Sequence, residues 1–368
     1  MTAFMPIRPP ARDTRTDQIR DWLTAQLHFP LSRLEPASFD ASFRRYFRAW
    51  RSDGVTRVVM DAPPDKEDTG PFLKVAELLA RCGVHVPQIE AVDRQRGFVL
   101  LEDLGTVLYL TRLRAGGDPE ALYADALQAL RRMQQQGGSA AAELAPYDRA
   151  ALEREMALMP EWFCGRHLGL TLDTQDRAVL DATFERLVQV ALEQPVVFVH
   201  RDYHSRNLLL TARDNPGIVD FQDALAGPIT YDLVSLLKDC YIEWPRERVE
   251  GWVESHRGRL EAAGAAAGQS DKQFLYWFDL MGLQRHIKVL GIFARLWWRD
   301  GKSGYLADLP RTLRYVCDTA ARYGELAPFS SWLERRIAPL FPAANARALS
   351  QAEAGAAAAQ AGARGPVA

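Results

Sequence analysis

Four polar residues lie close together in one stretch of the chain, PVVFVHRDYHSRNLLLTARDNPGIVDFQDALAGP: His200, Asp202, Asn207 and Asp220. The apolar run VVFV ends at His200, so Asp202 falls in the loop that follows, at the mouth of a sheet. Asn207 comes five residues later. NLLLTARDNPGIVDF then reads as a hairpin, LLL and GIV around a DNPG turn, which brings Asn207 and Asp220 face to face near its open end. A converging amide oxygen and carboxylate suit a hard divalent ion. Mg2+ keeps several waters while it bridges nucleotide phosphates, so these two protein ligands beside ATP suffice. Asp202 is left to accept the proton of a substrate hydroxyl, and the chemistry so assembled is phosphoryl transfer. His200, at the end of a buried strand, is expected to support the loop. Asp223 is expected to cap the next turn, and Asp232, in GPITYDLVSLL, to accept backbone hydrogens from the loop. Taken singly, each of these groups would pass for a turn cap; together, behind an apolar strand and across a hairpin, they point to catalysis.

These groups need a scaffold, and the chain is long enough to build one. Its 368 residues exceed one compact core and favour two lobes sharing a cleft. A composition of 48% apolar and 25% charged residues excludes disorder, collagen-like repeats and coiled coils. With 45 Lys and Arg against 47 Asp and Glu, no global positive field exists to hold nucleic acid or a membrane surface. No obligate protein partner is evident. Cys82, Cys164, Cys240 and Cys317 lack zinc spacing and read as small buried hydrophobes. MTAFMPIRPPARDTR has no apolar signal region, and nothing later reaches the about 18 consecutive apolar residues that cross a bilayer, so a cytoplasmic location is expected.

An amphipathic helix, TDQIRDWLTAQLHF, opens the chain and stops at Pro30. SFRRYFRAW and TRVVMDA flank the turn-prone RSDG as an antiparallel pair. From Pro71, Phe72, Val75, Ala76, Leu79 and Cys82 line one helical face that Gly83 ends. The strand GFVLLEDLG follows, and the lobe boundary is placed at its charged end. Beyond it, Asp118 and Pro119 start a long helix through ALYADALQALRRMQQQ, and helical texture dominates. The reading is therefore α+β, with a small β-rich N-lobe (1–102, nucleotide-binding) and a larger, mostly helical C-lobe (103–342, catalytic and acceptor-binding). Residues 343–368, rich in Ala and Gly, are expected to be a disordered tail or a frayed helix.

HRDYHSRN and VDFQD resemble the aminoglycoside phosphotransferase-like branch of the protein-kinase superfamily, which implies a bilobal protein-kinase-like fold. Only about a dozen residues separate Asp220 from YDLVSLL, leaving no room for a peptide-docking activation segment, so a small acceptor is expected. DASFRRYFR, VVMDAPP, VLLEDLG and QRHIKVLGIFARLWWRDGK extend the resemblance to the bacterial anomeric amino-sugar kinases. What that implies is ATP-dependent phosphorylation of the C1 hydroxyl of N-acetylmuramate or N-acetylglucosamine recovered from the cell wall. TRVVMDAPP departs from the superfamily pattern, offering Met60 or Asp61 where a nucleotide-binding Lys is expected. Arg44 and Arg45 are the substitutes considered, with Ser42 and Phe43 over the phosphates and Glu77 as the helix partner. The resemblance also places adenine against the backbone from Glu102 to Leu104. For the acceptor, Tyr203, His204, Tyr241, Glu243, Trp244, Arg285 and His286 supply aromatic faces and hydrogen-bonding groups. Other small acceptors (an aminoglycoside, choline, homoserine, another sugar) and a nucleotide-binding scaffold without activity are the alternatives.

Overall fold

The structure, a computed structural model, describes residues 13–39, 43–264 and 270–363. Its N-terminal part is an antiparallel sheet of five strands: β1 (Leu31–Phe39), β2 (Arg45–Arg51), β3 (Thr56–Asp61), β4 (Ile89–Asp93) and β5 (Phe98–Glu102), in the order β1-β2-β3-β5-β4. Alternation along β3 and β5 sends Val59, Phe98 and Leu100 to one face, where Ile19, Trp22 and Leu23 of the first helix cover them. Met60, Val99 and Leu101 go to the other face, against Phe72, Val75 and Leu79 of the helix Gly70–Arg81. The expected hairpin and both helices are present. β1 and β4 carried no sequence expectation. They are the two edges of the sheet, and Pro36 is accommodated in β1 beside an irregularity between Pro36 and Ser38, as only an edge strand permits.

Met60 is buried under the helix Gly70–Arg81, while Asp61, fully buried, faces the first helix. Arg15 reaches Asp61 Oδ1 at 2.7 Å through Nε, and Arg45 reaches Oδ2 at 2.6 Å through Nη2. Arg45 also bonds Asp13 at 2.6 Å. One carboxylate thus locks the first helix and β2 onto β3.

The C-terminal lobe is helical around Asp271–Trp298, a helix of 28 residues and so about 42 Å long. It is buried over most of its length by the helices Thr174–Leu192, Tyr231–Leu237 and Leu309–Arg322 and by the segment Met159–His167. At Gly291 it passes so close to Leu158 that a methyl group there would lie 2.5 Å from Leu158 Cβ. Two short antiparallel pairs complete the lobe: β6 (Val196–Val199) with β9 (Leu225–Pro228), and β7 (Leu208–Leu209) with β8 (Gly217–Ile218). Of the two alternatives for residues 343–368, the disordered tail is corrected over the described part. Residues 343–363 belong to the helix Phe341–Ala363, anchored by the buried Ala344, Asn345 and Ala348, because alanine is both a strong helix former and small enough to pack closely. No helix among the described residues is long and apolar enough to cross a membrane.

Removing the Asp61 carboxylate strands two guanidinium groups that keep partial access to water. Asp61→Ala is expected to lower stability by about 2 kcal/mol in urea unfolding. A loss below about 0.5 kcal/mol would show that the clamp is dispensable.

Candidate active site

The catalytic-type loop begins where β6 ends. Asp232, at the start of the helix Tyr231–Leu237, accepts from two consecutive backbone N–H groups, His200 at 2.6 Å and Arg201 at 3.0 Å. That grip holds Arg201 at a φ of +77°, a conformation costing a non-glycine residue about 1 kcal/mol or more. The His200 ring is buried and its Nδ1 accepts from Asp202 N at 3.3 Å. Burial pushes its pKa down to about 4, so the ring is a neutral acceptor for the loop backbone. Further along, Ser205 donates to Asp239 Oδ2 through N (3.0 Å) and Oγ (2.5 Å), while Tyr241 N donates to Asp239 Oδ1 at 2.9 Å.

The hairpin β7–β8 returns the chain as its turn residues predict. Asn207 Nδ2 donates to Asp202 O at 3.0 Å and to Asp220 Oδ2 at 3.2 Å, which leaves the amide oxygen as its remaining ligand atom. Asp220 sits at a φ of +64°, and its Oδ1 accepts from Gln222 Nε2 at 2.9 Å. Asn207 and Asp220 therefore meet at one mouth, and Asn207 ties the Asp202 backbone to them. Asp223 is exposed; its carboxylate meets Gln222 at 3.5 Å rather than capping the next turn, and its carbonyl accepts from Arg201 at 3.4 Å.

The Asp202 carboxylate accepts no hydrogen bond among the described residues. Burial opposes its charge, but Lys288, His204, Arg285 and Arg201 outweigh that penalty and hold it below the ordinary carboxylate range. Lys288 is in turn fixed by Glu155 at 2.9 Å and by the Tyr231 hydroxyl at 3.0 Å. Arg201 and the Tyr147 hydroxyl also bond Glu155. Burial works against the Glu155 charge as well, and Lys288 and Arg201 keep it ionised.

A cleft of about 460 Å³ opens between sheet and loop. Tyr46, Val58 and Leu101 form its roof, Leu209 and Val219 its floor, and Glu102 to Gly105 its inner edge, with Asn207 and Asp220 at the mouth. Gly217 lets the inner edge settle on the hairpin: a Cβ there would meet Leu104 Cδ1 at 2.9 Å. Arg48 crosses from β2 to Asp103, with bonds of 2.6 and 2.9 Å. Among the described lining residues the cations are Arg48 and Arg206.

Several sequence expectations are corrected. Arg45 projects from the sheet face opposite the cleft, since Tyr46 and Arg48 take the cleft side of β2. Phe43 is 64% exposed, with its N–H bonded to Glu67 at 3.1 Å. Glu77 lies on the solvent face of its helix, because Val75, Ala76 and Leu79 take the inner face. Arg44 precedes β2, and Ser42 lies outside the described residues. Tyr203 is buried, its hydroxyl on Ala126 O at 2.8 Å. His286 is likewise in the core, bonded to Lys238 O at 2.9 Å and stacked on Tyr315. Glu243 and Trp244 line a separate cavity of about 510 Å³ that shares no lining residue with the cleft. His204 and Arg285 do stand beside Asp202, and Tyr241 packs edge-on against His204 at 5.3 Å. Sequence reasoning missed Glu155, Lys288, Gln222 and Asp239 as parts of the site. A lysine inside the apolar run HIKVLGIF was the one available signal for Lys288.

The family profile described as "Phosphotransferase enzyme family" matches residues 33–274. An N-acetylmuramate/N-acetylglucosamine kinase of Pseudomonas aeruginosa is 47% identical over 331 residues, 87% of this chain and 96% of that protein. The kinase of the same name from Pseudomonas putida is 45% identical over 328 residues, 86% of this chain and 95% of that one. In fold, the chain is similar to the ADP-bound aminoglycoside phosphotransferase APH(2'')-Ib, with a TM-score of 0.54 at 14% identity, covering 82% of this chain and 98% of that one. Profile, near-full-length relatives and a shared bilobal architecture agree: the chain belongs to the phosphotransferase enzyme family.

Proposed function

We propose that the chain phosphorylates the anomeric (C1) hydroxyl of N-acetylmuramate, N-acetylglucosamine or both, using ATP. The observation that carries this reading is the likeness at 45% and 47% identity, over nearly the whole length of each, to relatives that bear that name. The site supports it. Residues 1–102 form the nucleotide lobe in this reading, residues 103–342 the catalytic and acceptor lobe, and the adenine ring lies against the backbone from Glu102 to Leu104.

Asp202 is the base. The C1 oxygen forms its bond to the γ-phosphorus as the bond from that phosphorus to the bridging oxygen of ADP breaks, and the hydroxyl proton passes to Asp202. An anomeric hydroxyl is more acidic than an ordinary alcohol, so a carboxylate kept ionised and unbonded needs only to orient it and take the proton late. Asn207 Oδ1 and the Asp220 carboxylate would hold Mg2+. Two oxygen ligands with room for water fit that ion, which when bound neutralises phosphate charge. His200, Asp232 and Asp239 fix the loop, so most of the acceleration comes from alignment.

The surroundings of the acceptor side favour an acidic or neutral sugar over a polycation. Arg114, Arg206, Arg285 and Arg311 outnumber Asp202, Asp239 and Asp308 there. An aminoglycoside or choline would meet like charge.

Asp202→Asn is expected to lower kcat by about 10³-fold while ATP binding, read by calorimetry, persists. Turnover within tenfold of wild type would remove Asp202 as the base. Because Asp202 is held low, activity should persist through the ordinary carboxylate range and fall only as pH drops below it. Lys288 is the leading cation in that effect, so Lys288→Met should move the acid limb of the kcat profile upward. An unmoved limb in a variant that stays folded by circular dichroism would deny Lys288 this positioning role.

A further inference from the structure

Arg206 is a cation of the loop whose donors no neighbour uses. Its guanidinium lies over the Tyr241 ring, 3.6 Å from the centroid, with the Tyr305 centroid at 5.9 Å. The nearest carboxylate oxygen, on Asp308, is 3.9 Å away, beyond hydrogen-bond reach, and Asp308 also faces Arg311 at 3.4 Å. No described residue accepts a hydrogen bond from Arg206, and its side chain is 34% exposed at the mouth that holds Asn207 and Asp220. Stacking fixes the plane of the group and leaves its N–H edge open, the arrangement that matches a carboxylate with two parallel bonds.

Two further observations place that open edge on the acceptor side. Arg285, only 4% exposed and a neighbour of Asp202, has no carboxylate within ion-pair distance among the described residues; its Nη1 meets Cys240 Sγ at 3.6 Å and its Nε is buried without a partner there. A buried cation left this way is stabilised by an anion brought close to it. Beside it, the buried Tyr241 and Phe293 and the partly exposed Tyr305 form a continuous aromatic wall, with centroids 6.2 and 5.1 Å apart, which backs the Arg206 guanidinium and fixes its position.

We propose that Arg206 binds a carboxylate on the acceptor sugar and thereby sets the preference between an acidic and a neutral amino sugar. This rests on the acceptor reading given above. Of the two sugars, N-acetylmuramate alone carries such a group, on its lactyl ether. The rival is a nucleotide phosphate, since Arg206 opens on the same cleft as Asn207 and Asp220. A phosphate contact would serve both sugars alike, whereas a carboxylate contact serves one.

Steady-state kinetics at saturating ATP separate the two, using the wild type, Arg206→Met and Arg206→Lys with N-acetylmuramate, its methyl ester and N-acetylglucosamine. In Arg206→Met the kcat/KM for N-acetylmuramate should fall about tenfold or more relative to N-acetylglucosamine, through KM, and the advantage of the free acid over its ester should disappear. Arg206→Lys should recover part of the preference, because it restores the charge without the fork. Equal losses on both sugars, or an unchanged ratio, against an active wild type would overturn the assignment of Arg206 alone. A wild type inactive on all three acceptors would overturn the acceptor reading and the assignment that rests on it.

Discussion

Keeping the half-buried Asp202 negative is the constraint around which the C-terminal lobe is arranged. An anion removed from water is costly, and the structure answers with Lys288, Arg285 and Arg201 rather than with hydrogen bonds to the carboxylate. Each answer raises a further demand. Lys288 and Arg201 need an anion of their own, and Glu155 from the helix Arg149–Met156 supplies it, with Tyr147 and Tyr231 adding hydroxyl contacts. The compensation therefore spreads over several elements. It also explains why the central helix carries the cations Arg285 and Lys288 in its buried interior.

Backbone geometry depends on the same economy of polar partners. Arg201 and Asp220 occupy left-handed conformations that their residue types disfavour; Arg201 is held through its N–H by Asp232, and the Asp220 carboxylate accepts from the Asn207 and Gln222 amides. Asp232 takes two consecutive N–H groups at the start of the loop, and Asp239 takes Ser205 in its middle and Tyr241 on the aromatic wall. Loop and wall are thus tied to the two ends of one short helix, Tyr231–Leu237, so base and acceptor surface keep a fixed relation. On the opposite side of the cleft, Arg48 ties β2 to Asp103, which links the roof to the chain segment joining the lobes.

Much of this was legible in the sequence where the signal was local. The loop from His200 to Asn207 and the hairpin to Asp220 keep their polar types at spacings set by strand and turn geometry, and the amphipathic face from Phe72 to Cys82 repeats at the helical period. What could not be read was facing. Arg45 turns away from the cleft because a strand sends alternate residues to opposite sides, and the β2 cation that lines the cleft proved to be Arg48. Glu77 and His286 failed likewise, since a helix shows the period of its faces but not which partner each face will meet. Glu155 had no signal at all: a charge 47 residues before Asp202 acquires its role only when the long helices close around it. The edge strands β1 and β4 escaped because a proline inside or just before a strand weakens the local pattern that edge positions tolerate.

The close passage of Gly291 over Leu158 restricts how such an enzyme can diversify. With no side chain to trim and backbone already near backbone, the long helix has no slack for sliding or tilting toward a bulkier acceptor. New room must come from the opposite wall, around Tyr241, Tyr305 and Asp308, where loops and short helical turns can lengthen without disturbing the buried charges. Within this scaffold, changes of acceptor are therefore expected to accumulate on that rim while the helix beneath stays fixed in position.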